Sequence, residues 1–277
     1  MTDVMLTCQL SNGSKIEQSV GPNPTKVILS RTEITVIDLT PLQVCHGLTQ
    51  LDLSHNQLKN IDLSQLGTDC GINRISLSYN PLQKIDLRPL TKCKDLKVLR
   101  LTGCMLNNID LVPLRELKQL EQLSLSFNKL ENIDLSPLAS CHKLEILTIN
   151  RNIFRQIDLT PLGSCSQLKT LNIGDNPYRL VDITPLATCS SLYSLVIDRS
   201  LLESIDLSPL ERLQNLNGIN LSNNSLRTVD LRPLHLCQDM YEVNLENNPL
   251  ESLIVKPGFK CPGLKLSSDN SIKMIEK

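Results

Sequence analysis

Ten cysteines, four histidines and 29 Asp and Glu residues supply the side chains from which metal sites, nucleophilic centres and acid–base pairs are made. Their spacing decides which of these chemistries is open. Seven cysteines recur at one register position: Cys45, Cys93, Cys141, Cys165, Cys189, Cys237 and Cys261. Leu117 and Leu213 take that position elsewhere, so it is apolar and inward, and small buried thiols pack there. No C-x-x-C occurs and no Cys/His set has zinc spacing. The column reads as structural free thiols, which favours a reducing compartment. Cys8, Cys70 and Cys104 fall outside it, and any reactive thiol is expected among these three.

Asp38, Asp62, Asp86, Asp110, Asp134, Asp158, Asp182, Asp206 and Asp230 form a second column. A carboxylate ribbon could hold cations. Alternatively, each Asp accepts backbone N–H bonds at the turn into a following helix. Recurrence in every unit favours the turn, because every unit has that turn to make. His46, His142 and His235 lie on or beside the outer helices, and His55 lies at a strand end. No Ser/His/Asp or Cys/His set shares a surface. There is no P-loop, no G-x-G-x-x-G and no H-E-x-x-H. The chain is therefore expected to be no enzyme, with no cofactor and no metal.

The elements that position these columns follow from one period. The string IDL-S/T-PL begins at Ile37, Ile61, Ile85, Ile109, Ile133, Ile157, Val181, Ile205 and Val229, every step 24 residues. A degraded tenth unit begins at Leu253. Leu51 and Leu53 alternate with Gln50, Asp52 and Ser54, the period-two pattern of a strand with one buried face. Stacked strands make a parallel sheet with roughly 4.8 Å per step. Asn56, Asn80, Asn128, Asn152, Asn176, Asn224 and Asn248 follow the strands. Their amides both donate and accept, and stacked copies can satisfy backbone groups where each strand bends away. Pairs such as Thr40-Pro41 and Ser136-Pro137 predict an N-cap and first residue of a helix of about two turns.

The segment Leu48 to Leu66, LTQLDLSHNQLKNIDLSQL, fits L-x-x-L-x-L-x-x-N-x-L. On this motif the chain resembles leucine-rich repeat proteins, with units similar to internalin-like and phosphatase-regulatory arrays. The resemblance implies an α/β fold: a right-handed solenoid arc with a concave parallel sheet and short helices on the convex side. The expected organisation is an N-terminal capping hairpin over 1–24, turning at Asn12-Gly13, a repeat array over 25–252 and a closing cap over 253–277.

Function is expected where units differ. Scaffold positions repeat, and strand residues on the open face do not. Tyr79 and Phe127 share one edge two units apart, roughly 10 Å by strand spacing. Aromatic and arginine side chains are favoured interface anchors. The candidate partner-binding residues are Arg74, Tyr79, Arg100, Phe127, Arg151, Asp198 and Arg199. The face also looks dipolar, with Lys26, Arg31, Arg74 and Arg100 early, and Asp175, Asp198, Glu242 and Glu246 late. A dipole of that kind would orient a partner.

Composition narrows the partners. Lys and Arg number 28 against 29 acids, which gives no reason to expect nucleic acid or an anionic membrane. No stretch approaches the ~20 apolar residues of a membrane span. Met1-Thr2-Asp3-Val4 does not read as a secretory leader. The expected role is a cytoplasmic, non-enzymatic protein-interaction scaffold in signalling. By resemblance, partners of such arrays include phosphatases, small GTPases and cytoskeletal or ubiquitin-system proteins. The alternative is a secreted or surface adhesin-like binder of an extracellular or host protein.

Overall fold

Each repeat strand of the ladder is three residues long and built on an enclosed middle residue: Leu51, Ile75 and Leu99 are fully buried. A computed structural model describes residues 2–66, 71–237, 239–267 and 272–277; Cys70 lies outside them. It divides into two compact units, Met1–Leu130 and Glu131–Lys277.

In the first unit, β1 (Met5–Leu10) and β2 (Lys15–Ser19) form an antiparallel hairpin. Its turn holds Gly13 at φ 85°, where a side chain would be strained. The repeats contribute β3 (Lys26–Ile28), β5 (Gln50–Asp52), β6 (Arg74–Ser76), β7 (Val98–Arg100) and β8 (Gln122–Ser124), all parallel and in register. The hairpin does not extend this ladder. Its β1 edge pairs antiparallel with β4 (Ile34–Ile37) on the return side of the first repeat. Leu6, Cys8 and Val27 are buried.

In the second unit, β9 (Ile146–Thr148), β10 (Thr170–Asn172), β11 (Ser194–Val196) and β12 (Gly218–Asn220) form a parallel ladder. A return-side strand, β13 (Thr228–Asp230), follows. The ladder then takes in β14 (Glu242–Asn244), while β15 (Ser252–Val255) pairs with β13. It runs on to β16 (Gly263–Lys265), past the last clean repeat, and β17 (Lys273–Glu276) pairs with β15.

Both units are solenoids of stacked 24-residue repeats, as expected, but the helices differ from expectation. They are 3-10 turns of five residues or fewer, such as Thr40–Val44 and Thr160–Ser164, rather than two α-turns. With Pro at the second residue, the run closes through i→i+3 bonds such as Cys45 N–H to Leu42 O, 3.0 Å. The capping assignment also changes. Thr40 makes no side-chain cap; it is the first helical residue. The cap is supplied by the aspartate column. Asp38 Oδ1 accepts from Thr40 N–H at 2.9 Å, and the eight other aspartates repeat the bond at 2.8–2.9 Å.

The asparagine column does the corresponding work at the strand ends. Asn128 Nδ2 donates to Leu101 O (2.9 Å) and Leu125 O (2.8 Å), and its Oδ1 accepts from the Cys104 and Leu106 amides, both at 3.0 Å. Cys104, standing where an Asn would, donates its thiol to Leu77 O at 3.3 Å.

The thiol column needs one correction. Cys45, Cys141, Cys165, Cys189, Cys237 and Cys261 are free, as expected, but Cys93 is disulfide-bonded. Burial pushes the Cys165 thiol up to about 12 and Cys189 up to about 11. Cys104, one of the suspected reactive thiols, is likewise pushed up by burial to about 12, and Cys8 is raised for the same reason; both are unsuited to nucleophilic work.

Candidate partner-binding face

The residue that leaves each strand adopts a left-handed backbone. In the first unit these are Arg31, His55, Tyr79, Gly103 and Phe127, with φ between 56° and 66°. For a non-glycine residue that conformation costs roughly 1–2 kcal/mol. It is held by a bond to the following repeat: His55 N–H donates to Ser78 O (2.8 Å), Tyr79 N–H to Thr102 O (2.7 Å) and Gly103 N–H to Ser126 O (2.9 Å). The turn carries the exit side chains away from the core.

Tyr79 and Phe127 are consequently exposed, 45% and 42%. Tyr79 is stacked on His55, with ring centroids 4.5 Å apart and planes at 20°. Its other neighbour is Gly103, where a β-carbon would come within 2.7 Å of the Tyr79 ring. An aromatic row of this kind presents rigid apolar area with few rotors to immobilise on binding. Arg74 and Arg100 rise half-exposed from β6 and β7, and Arg100 Nη2 donates to Gln122 Oε1 at 3.1 Å. The structure thus brings together Arg74, Tyr79, Arg100 and Phe127 on one ladder.

The candidates in the second unit are arranged differently. Arg151 Nε donates to Asp175 Oδ2 at 2.6 Å, and Arg199 Nη1 lies 3.5 Å from Asp198 Oδ2. The Asp198 carboxylate lies in space left free by Gly174, and burial raises its pKa while Arg199 opposes the shift. The expected dipole is reduced accordingly: Asp175, Asp198 and Glu242 are each ion-paired, the last with Lys265.

Two features escaped the candidate list. His55 and Gly103 complete the Tyr79 environment. Their signal was available, since both sit in the exit column 24 residues either side of Tyr79. Tyr193 and Tyr241 are exposed before the strands of the second unit, where Tyr193, Glu145 and Lys169 border a groove of about 520 Å³. Among the described residues no group of three or more His, Cys, Asp or Glu could hold a metal. Among them, too, no helix is long and apolar enough to cross a membrane.

The sequence model of the Leucine Rich Repeat family matches residues 47–68. No curated protein matches the chain. Among solved structures the chain is similar to internalin C2 of Listeria monocytogenes, 33% identical over 72% of this chain and 80% of that one, TM-score 0.61. Internalin InlF of the same bacterium is 23% identical over 90% of this chain and 82% of that one, TM-score 0.61. A plant peptide hormone receptor, RGFR1 in complex with RGF2, is 22% identical over 84% of this chain and 41% of that one, TM-score 0.60.

Proposed function

The chain belongs to the leucine-rich repeat family, and we propose that it is a non-enzymatic scaffold that receives a protein partner on the open sheet face of its first unit. Arg74, Tyr79, Arg100 and Phe127 are its anchors. The observation that carries this reading is the exposed His55–Tyr79 stack with Phe127 further along the same edge. Scaffold economy does not call for large exposed rings at those positions, whereas interfaces favour them. The plant peptide hormone receptor RGFR1, solved in complex with RGF2, is a fold of this kind with a ligand bound. On the second unit Arg151 is ion-paired with Asp175 and Arg199 with Asp198, so these candidates are spent on one another and are not assigned to the partner site.

The test is affinity capture from source-cell lysate, with the intact chain beside a Tyr79→Ala/Phe127→Ala variant. Bound proteins are identified by mass spectrometry. A protein held by the first and lost by the second is the expected result. Equal capture by both removes the site from that edge.

We place the scaffold in the cytoplasm, in a signalling role, on the strength of the free thiols among the described residues. The secreted, adhesin-like reading is favoured by the Cys93 disulfide and by the 33% identity to an internalin. Alkylation of thiols during lysis of the source cells separates the two. An alkylated Cys93 supports the cytoplasm; a Cys93 blocked until reduction supports secretion.

A further inference from the structure

The two ladders differ in how their charges are met. On the open face of the first unit stand Lys26, Arg31, Arg74 and Arg100. Among the described residues none of the four forms an ion pair with a carboxylate; Arg100 alone is engaged, by the neutral Gln122. The carboxylate present on those strands is Asp52, whose Oδ1 accepts the Ser54 amide at 2.9 Å. On the ladder of the second unit Arg151, Arg199 and Lys265 each have an acidic partner. The chain as a whole is nearly neutral, at −1. The excess positive charge is therefore local to one ladder, the same one that carries the stacked aromatics.

We infer that the partner docks through an extended acidic peptide segment laid across β3, β5, β6, β7 and β8, with apolar or aromatic side chains against Tyr79 and Phe127. This inference rests on the interaction reading above and names the chemistry of its ligand. The dimensions agree. Five strands at about 4.8 Å spacing span about 19 Å, which an extended segment of about six residues covers. Arg74 and Arg100 lie on adjoining strands, two residues out of step, so their backbones are about 8 Å apart from strand spacing and rise. Carboxylates on alternate residues of an extended segment recur at about 7 Å and can meet both guanidiniums.

The experiment is fluorescence polarisation of the full chain with a labelled random copolymer of Glu and Tyr, at low and high salt. A Lys/Tyr copolymer and oligodeoxythymidylate serve as comparison probes. The Glu/Tyr copolymer is expected to bind, and to bind less tightly as salt rises. Arg74→Gln/Arg100→Gln is expected to weaken it about tenfold, equivalent to about 1.4 kcal/mol, while Arg151→Gln/Arg199→Gln changes it less than about twofold. Lys26→Gln/Arg31→Gln, at exposed positions, repeats the test without disturbing packing, and is also expected to weaken binding. Absence of binding, equal loss in both units, or oligodeoxythymidylate bound as tightly as the copolymer would each overturn the inference; the last would mark a nucleic-acid surface instead. Failure of the two proposals is distinguishable. If a captured protein depends on Tyr79 and Phe127 but the copolymer does not displace it, the scaffold reading stands and the acidic-segment inference falls.

Discussion

The imidazole of His55 and the phenol ring of Tyr79 are stacked with centroids 4.5 Å apart, two side chains separated by one full repeat in sequence and by one strand in space. Both leave the backbone at positive φ, 56° and 58°, so the same turn that ends each strand aligns the rings. On the far side of Tyr79, Gly103 holds φ 66° and leaves the space the ring occupies. Exposed rings held in this way form a surface prepared before any partner arrives.

Gly103→Val tests that preparation. The new side chain meets the Tyr79 ring and forces a β-branched residue into the left-handed region, at about 1–2 kcal/mol. An unfolding free energy in urea lowered by about that amount, together with loss of partner capture, is expected. A variant that keeps both midpoint and capture would show that Tyr79 needs no fixed position.

Asn128→Ala removes three donated and two accepted bonds from a buried strand end. With about 1–3 kcal/mol for each orphaned group, the loss is expected to be about 3 kcal/mol or more. Chemical denaturation monitored by hydrogen exchange should place the weakened amides at Cys104 and Leu106. A change below about 1 kcal/mol would mean that the strand ends find other partners.

Acid should unfold the chain through its aspartate column. In Asp38, Asp158 and Asp182 the following threonine's side chain, then its amide, lowers the carboxyl pKa; in Asp86 and Asp230 the arginine two residues on does so. A folded pKa below the unfolded value contributes stability above about pH 3.9, lost as pH falls through that value toward the folded pKa. Thermal midpoints are therefore expected to be level near neutrality and to drop below about pH 4. Asp158→Asn should flatten part of that drop. An acid limb unchanged by Asn replacements across the column would assign it to other carboxylates.

Tyr178 stands in a column otherwise filled by Leu and Phe154, and its buried hydroxyl has no hydrogen-bond partner among the described residues. Tyr178→Phe removes that group and keeps the ring. It is expected to stabilise the chain by about 1 kcal/mol or more. A lower midpoint would show that the hydroxyl is satisfied in solution.

Much of this molecule was legible in its sequence because its rules are local and repeated nine times. The 24-residue period, the alternation around Leu51 and Leu53, the roles of the Asn and Asp columns and the hairpin at Asn12-Gly13 all follow from side chains acting on backbone a few residues away or one register step along. Exposure of Tyr79 and Phe127 was also readable, since no core position of the repeat calls for them. Other features were decided only in three dimensions. That the turn after Asp38 closes through i→i+3 bonds, as a 3-10 rather than an α-helix, is seen only in the structure. Whether Arg151 is spent on Asp175 while Arg74 stays uncommitted to any carboxylate depends on rotamers and on which neighbour each strand receives. The Cys93 disulfide and the His55–Tyr79 stack are of the same kind. The sequence determined which residues share a column. Tertiary packing decided which members of adjoining columns touch, because contact distances of a few ångströms are set by the curvature and stagger of stacked strands rather than by their spacing along the chain.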